Sequence, residues 1–128
     1  MKLLLDTCTF LWIAGHPAAL SAHARELFKN PDNEVYLSAA SAWEIATKHA
    51  LGRLPLPEPP ERLIGRLRQH HGIAALPIDE ESATHVVRLP SLHRDPFDRI
   101  LVCQAIVQGM ALLTPDPLIA QYPARVLW

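Results

Sequence analysis

Three consecutive leucines, Leu3 to Leu5, run directly into Asp6, and this short stretch constrains the fold more than any other. An apolar run without polar alternation reads as a strand covered on both faces, as in a parallel sheet. Parallel strands need crossovers, and helical segments follow. Asp6 and Thr7 mark a turn into a helix over Thr9 to Ala14, which Gly15 and Pro17 stop. Ser21 is placed to cap a second helix ending at Lys29, and Glu34 to Leu37 reads as the next strand, ended by Ser38.

The stretch Ala40 to Leu51 is helical in composition, carries Trp43, Ala46 and Ala50 on one face, and stops at Gly52. A stiff "LPLPEPPE" connector precedes a basic helix over Glu61 to His71, closed by Gly72. Ile73 to Ile78 suggests a third strand despite Pro77, and Asp79 an N-cap for a helix ending near Leu89. The next helix begins in "SLHRDPFDRILVCQA" and ends at Gly109. Ala111 to Thr114 reads as an apolar strand and Arg125 to Trp128 as a last edge strand. Strands alternating with helices predict an α/β class fold, a three-layer α/β/α sandwich with a central parallel sheet.

With 128 residues, about half of them apolar, the chain suits one domain over 1–128 with a real core. A formal charge of -1 announces neither a strongly basic coat nor an acidic tail, so any polyanion must be held by local patches. Cys8 and Cys103 share no metal-ligand spacing and read as buried thiols in a reducing compartment. The apolar run before Asp6 is too short for a signal peptide, and no segment approaches the roughly 20 apolar residues of a membrane span. A cytoplasmic location is expected, with no membrane partner.

In parallel α/β sheets ligands sit beyond the carboxyl ends of the strands. There the sequence places Asp6 after the first strand, Thr114 and Asp116 after the fourth, and Glu44 one helical turn beyond the second. Each has an ordinary alternative. Asp6 suits an N-cap, Glu44 an i, i+4 pair with Lys48, and Asp116 the turn "TPDP". Asp95, Pro96 and Asp98 form a capping-box-like helix start.

The set argues for more. Two unit charges about 4 Å apart repel by roughly 4 kcal/mol at an effective dielectric of about 20. Asp6, Glu44, Asp98 and Asp116 in one pocket would therefore take up protons or require a cation, and an all-oxygen donor set suits Mg²⁺ or Mn²⁺.

The stretches "LLLDTCTFLW", "SAASAWEIATKHALGRLPLP", "HRDPFDRILVCQA" and "LLTPDPLIAQY", in that order and across almost the whole chain, resemble the PIN-domain ribonucleases of the VapC toxin type. The resemblance implies a metal-dependent endoribonuclease, the toxin of a toxin–antitoxin pair, that hydrolyses RNA phosphodiester bonds. It also implies a homodimer and a cognate antitoxin whose segment lies near the active-site groove. Carried over position by position, the four acids fall on Asp6, Glu44, Asp98 and Asp116. Thr7 and Thr114 match hydroxyl positions beside them. Asp95 matches an acid of the "RDPFD" subgroup and is open to three roles: ligand, support behind the ligands, or cap. Asp6 and Asp116 are the expected direct ligands, with Glu44 and Asp98 binding through waters or helping to deprotonate the nucleophile.

RNA also needs positive charge outside the acidic pocket. His93 and Arg94, directly before Asp95, are the best placed; Lys48, Arg53, Arg62 and Arg66 are further candidates, each equally suited to a solvated face. Trp12, Ile13 and Trp43 suit either the core or a subunit contact. An aspartate-nucleophile phosphohydrolase would carry a second Asp two residues after Asp6, where Cys8 stands, and a phosphorelay receiver would carry adjacent acids. The alternative that remains is a catalytically inactive RNA- or protein-binding domain whose carboxylates are caps.

Overall fold

The structure, a computed structural model, describes residues 1–128. Five strands, β1 (Lys2–Leu5), β2 (Glu34–Ser38), β3 (Ala74–Leu76), β4 (Ala111–Leu113) and β5 (Arg125–Leu127), form one sheet in the order β3-β2-β1-β4-β5, every neighbouring pair parallel. The helices are α1 (Thr7–Gly15), α2 (Ala22–Lys29), α3 (Ala39–Ala50), α4 (Pro60–His71), α5 (Glu80–Thr84) and α6 (Pro96–Gln108). Single 3₁₀ turns follow α1, α5 and β4.

The leucine run lies at the centre of this sheet, between β2 and β4. Leu3 and Leu5 face a core that Phe10, Ala24, Ile45 and Leu63 fill from α1, α2, α3 and α4. Leu4 faces the other core, filled by Leu101, Val102 and Ala105 of α6 together with Leu89, Ile119 and Tyr122. These two cores make the three layers, so the run carries no polar residue because neither face reaches water. Truncating one such leucine to alanine would cost about 2–5 kcal/mol.

From β1 the chain winds outward through β2 to β3, then crosses to β4 on the opposite side of β1. The gap between β1 and β4 is therefore a switch point, where connections leave in opposite directions and open a crevice above the strand ends. Two polar devices fix this edge. Ser38 caps α3 by accepting from Ala40 N and donates to Gln104 Oε1 at 2.6 Å, while Gln104 Nε2 donates to the Pro77 carbonyl. Thr9 Oγ1 donates to the Leu113 carbonyl at 2.8 Å, tying α1 to β4.

Several boundaries differ from the sequence expectation for identifiable reasons. The first helix starts at Thr7 rather than Thr9, because the Asp6 side chain accepts from Thr7 N and so caps it. The third strand spans Ala74–Leu76 rather than Ile73 to Ile78, since Pro77 has no N–H for the ladder. The helix after Asp79 ends at Thr84 and tightens into a 3₁₀ turn over His85–Arg88, where β-branched Val86 and Val87 disfavour further α-helix. Asp95 caps α6 by accepting from Phe97 N. Asp98, however, does not close a capping box, because the Asp95 N–H donates to His93 Nδ1 instead. Trp43 is not a core residue, with 65% of its surface exposed and its ring edge-on to Phe97. Trp12 is half-buried against Trp128, and Ile13 is buried in the core.

Candidate active site

A cleft of about 280 Å³ opens at the carboxyl edge of the sheet, lined by Asp6, Glu44, Asp95, Asp98 and Asp116 with Thr7, Cys8, Lys48 and apolar Leu11, Ile45 and Leu54. Its acids arrive on separate elements. Asp6 is the residue after β1, Glu44 lies in the second turn of α3, Asp98 in the first turn of α6, and Asp116 in the loop after β4.

Asp6 and Glu44 are both 5% exposed and fully engaged. Asp6 Oδ1 accepts from Thr7 N at 2.7 Å, and Oδ2 accepts from Thr114 Oγ1 at 2.6 Å and from Cys8 Sγ at 3.3 Å. Burial raises the Asp6 carboxyl above its ordinary value; the bonds from Thr114, Cys8 and Thr7 offset part of that rise, and the nearby Glu44 charge adds to it. Glu44 Oε1 accepts from Thr7 Oγ1 at 2.7 Å, and Oε2 pairs with Lys48 Nζ. That bond to Glu44 raises the Lys48 ammonium. Thr7 Oγ1 also lies 3.0 Å from Ser41 Oγ, so one threonine joins both acids to α3.

Asp98 and Asp116 are held otherwise. Their carboxylates receive no backbone capping bond except from Leu118 N to Asp116 Oδ1 at 2.8 Å. Between them stands the His93 ring, with Nε2 at 3.0 Å from Asp98 Oδ2 and 3.7 Å from Asp116 Oδ2. Burial, followed by the charges of Asp6, Asp95, Glu44 and Asp116, pushes the Asp98 carboxyl up to about 8. In a cleft so arranged the added negative charge is resisted, and a cation relieves it.

One donor atom each of His93, Asp98 and Asp116 falls within 4.8 Å of the others. The remaining wall offers carboxylate oxygens and hydroxyls. This set of hard oxygen donors fits a divalent cation such as Mg²⁺ or Mn²⁺.

The structure thus brings Asp6, Glu44, Asp98, Asp116, Thr7, Thr114, Asp95 and Lys48 to one cleft or its immediate wall. Arg94 is exposed on the loop before α6, next to His93. Arg53, Arg62 and Arg66 lie elsewhere: Arg53 is exposed after α3, Arg62 is exposed on α4, and Arg66 pairs with Glu58 at 3.1 Å. Their helix faces the apolar core and its basic residues point to solvent.

Three positions take on roles that composition did not reveal. Cys8 was expected to be buried, yet it is half-buried on the cleft wall; burial and the adjacent Asp6 charge push its thiol up to about 12, which leaves it un-ionised. Ser41, fully buried, precedes Glu44 by three residues on the same helix face, a spacing that could have pointed to it. His93 is the third surprise, since its ring meets two acids instead of facing outward.

A family model described as PIN domain matches residues 3–124. The chain is 31% identical over 114 residues to Ribonuclease VapC22 of Mycobacterium tuberculosis (strain ATCC 25618 / H37Rv), covering 88% of this chain and 85% of that one. It is 38% identical over 61 residues to Ribonuclease VapC16 of the same organism, a match spanning 48% of this chain and 43% of that protein. Among solved structures, VapBC2 from Rickettsia felis bound to a DNA fragment from its promoter superposes with a TM-score of 0.75 at 15% identity, covering 99% of this chain and 98% of that chain. At that identity the likeness is one of fold.

Proposed function

The chain belongs to the PIN domain family, and from that premise we propose that it is a metal-dependent endoribonuclease, the toxin component of a toxin–antitoxin pair, acting as a single PIN domain over 1–128. The observation that carries this reading is the convergence of Asp6, Glu44, Asp98 and Asp116, from four chain segments, on one cleft. Ribonuclease activity in its relative VapC22 supports the reaction class. A structure of like fold, VapBC-5 from Mycobacterium tuberculosis, a member of the VapBC family of toxin–antitoxin systems, supports an antitoxin as partner. A homodimer and a cytoplasmic setting complete the proposal; no helix is long and apolar enough to cross a membrane.

Asp6, Asp98 and Asp116, with Glu44 beside them, are the residues that would hold Mg²⁺ or Mn²⁺. A divalent cation bound there supplies Lewis-acid chemistry, acidifying a water and offsetting charge on the phosphate undergoing attack. The chain's own groups do the rest. Thr114 and Thr7 hydrogen-bond Asp6 and Glu44, so these carboxylates are oriented before substrate arrives. Glu44, once Lys48 swings to an RNA phosphate, has an oxygen open to take a proton from the attacking water. Lys48 lines the cleft and Arg94 is exposed on the loop beside His93, and these two cations are the ones to hold the RNA backbone. Asp95 serves as the α6 cap and contributes charge behind Asp98.

The test is cleavage of total cellular RNA by antitoxin-free protein with Mg²⁺ or Mn²⁺, comparing wild type with Asp6→Asn and Asp116→Asn. Cleavage by wild type alone, abolished by a chelator, is the expected result. Equal cleavage by all three proteins, or cleavage that survives chelation, would overturn it.

A further inference from the structure

His93 is held at the acid cluster by hydrogen bonds to its own backbone. Its backbone N–H donates to the Tyr122 hydroxyl at 2.8 Å, and its carbonyl accepts from Arg99 Nη1 at 3.3 Å. Arg99 also donates to the Pro90 and Val86 carbonyls, at 3.3 and 3.4 Å, and Tyr122 is buried. The loop before α6 has no strand or helix of its own, so these bonds are what fix the position of the ring.

The ring's orientation follows from its partners. Nδ1 accepts the Asp95 N–H at 3.1 Å, which leaves Nε2 as the donor nitrogen, 3.0 Å from Asp98 Oδ2. A single N–H donor can set a carboxylate's direction and leave its other oxygen free. An arginine or lysine in the same place would neutralise part of the anionic field that a cation needs. Ligand carboxylates are commonly oriented by such partners, and losing one weakens metal binding by about 10–100-fold.

We propose that His93 is a positioning residue, which through Nε2–H holds the Asp98 carboxylate toward the cleft and apart from Asp116, with Tyr122 and Arg99 as its anchor. This rests on the metal-dependent reading above and assigns His93 to the acids rather than to RNA. It also gives a function to the His before "RDPFD" and to Tyr122, some 29 positions along the chain from it.

The experiment titrates Mn²⁺ into RNA-free protein, by calorimetry and electron paramagnetic resonance, for wild type, His93→Ala, His93→Gln and Tyr122→Phe. His93→Ala is expected to weaken Mn²⁺ by about tenfold or more. His93→Gln, which returns an N–H donor of similar reach, restores most of the affinity. Tyr122→Phe, which keeps the buried ring and removes only the anchor, weakens Mn²⁺ by a smaller factor in the same direction. At saturating metal the KM for RNA is unchanged in His93→Ala. Unaltered Mn²⁺ affinity in His93→Ala, a change confined to the KM for RNA, or nitrogen hyperfine coupling showing His93 bound directly to Mn²⁺ would each overturn the proposal. A wild type that binds Mn²⁺ and cleaves no RNA refutes the nuclease reading alone, whereas one that binds no Mn²⁺ refutes both.

Discussion

The two sides of the acidic cleft are built on opposite terms. On the β1–α3 side, Asp6 and Glu44 are almost wholly buried and every carboxylate oxygen has a protein partner. On the α6–β4 side, Asp98 and Asp116 are more open, share one imidazole, and Asp98 is pushed up to about 8 by burial and its neighbours' charge. The first side is complete in the protein alone. The second is under electrostatic stress that a cation would release, which is a reason to expect binding energy to come from there while geometry comes from the other.

The largest effects should therefore agree in activity and differ in stability. Asp6→Asn and Asp98→Asn are each expected to lower RNA cleavage by about 10³-fold, the loss of several kcal/mol of charge stabilisation. In thermal melts without metal, Asp98→Asn should raise Tm, because it removes a carboxyl whose ionisation the fold resists, whereas Asp6→Asn should leave Tm unchanged or lower it, because burial raises Asp6 too but an amide there cannot accept all three of its hydrogen bonds. A fall in Tm for Asp98→Asn would break the contrast.

A pH series sharpens the same point. The folded protein keeps the Asp98 proton up to about 8, whereas the unfolded chain releases it near the ordinary value of 3.8. Folded protein thus binds more protons across that window, and without metal its stability should fall as pH rises through it. Binding a cation requires the carboxylate, so the Tm increment on adding Mn²⁺ should grow over the same range. An increment that is flat from acid to pH 8 would sink this account.

Within the buried side, Thr7→Val keeps the volume and removes the donor to Glu44, leaving a buried acceptor short of a partner. A stability loss of about 1–3 kcal/mol by denaturant unfolding is expected. Lys48→Ala likewise leaves an oxygen of buried Glu44, Oε2, short of a partner, but Lys48 is itself 46% exposed and water can reach the vacated position, so a smaller stability loss than in Thr7→Val is expected. In Lys48→Ala the KM for RNA should rise severalfold while Mn²⁺ affinity holds.

Much of the fold was legible because the signals were local. Leu3 to Leu5 and Ala111 to Leu113 are continuous apolar runs, and both became strands buried on two faces. Ser21, Asp79, Gly72 and Gly109 mark helix ends by their own chemistry, Gly72 and Gly109 adopting φ of 67° and 66° at the C-caps. Where local signals competed, as at Pro77 or at Val86 and Val87, boundaries moved by a few residues. The positions of Asp6, Glu44 and Asp116 followed from the rule that parallel strands end on one edge.

The basic residues were less legible, because a charged side chain on a helix obeys the same pattern whether it faces RNA or water. Arg62 and Arg66 face solvent beyond the cleft; Lys48 faces into it. No periodicity separates these outcomes.

What the sequence determined by itself was the alternation of strands and helices and the placing of acids at strand ends, since burial and capping act over a few residues. Tertiary structure alone decided how those acids are held. Thr7 reaches Glu44, Thr114 reaches Asp6, and Tyr122 fixes the loop that carries His93, each across 29 residues or more. Such bonds depend on how the sheet and its helices close around the cleft, and a one-dimensional pattern carries no record of which side chains that closure brings within 3 Å of one another.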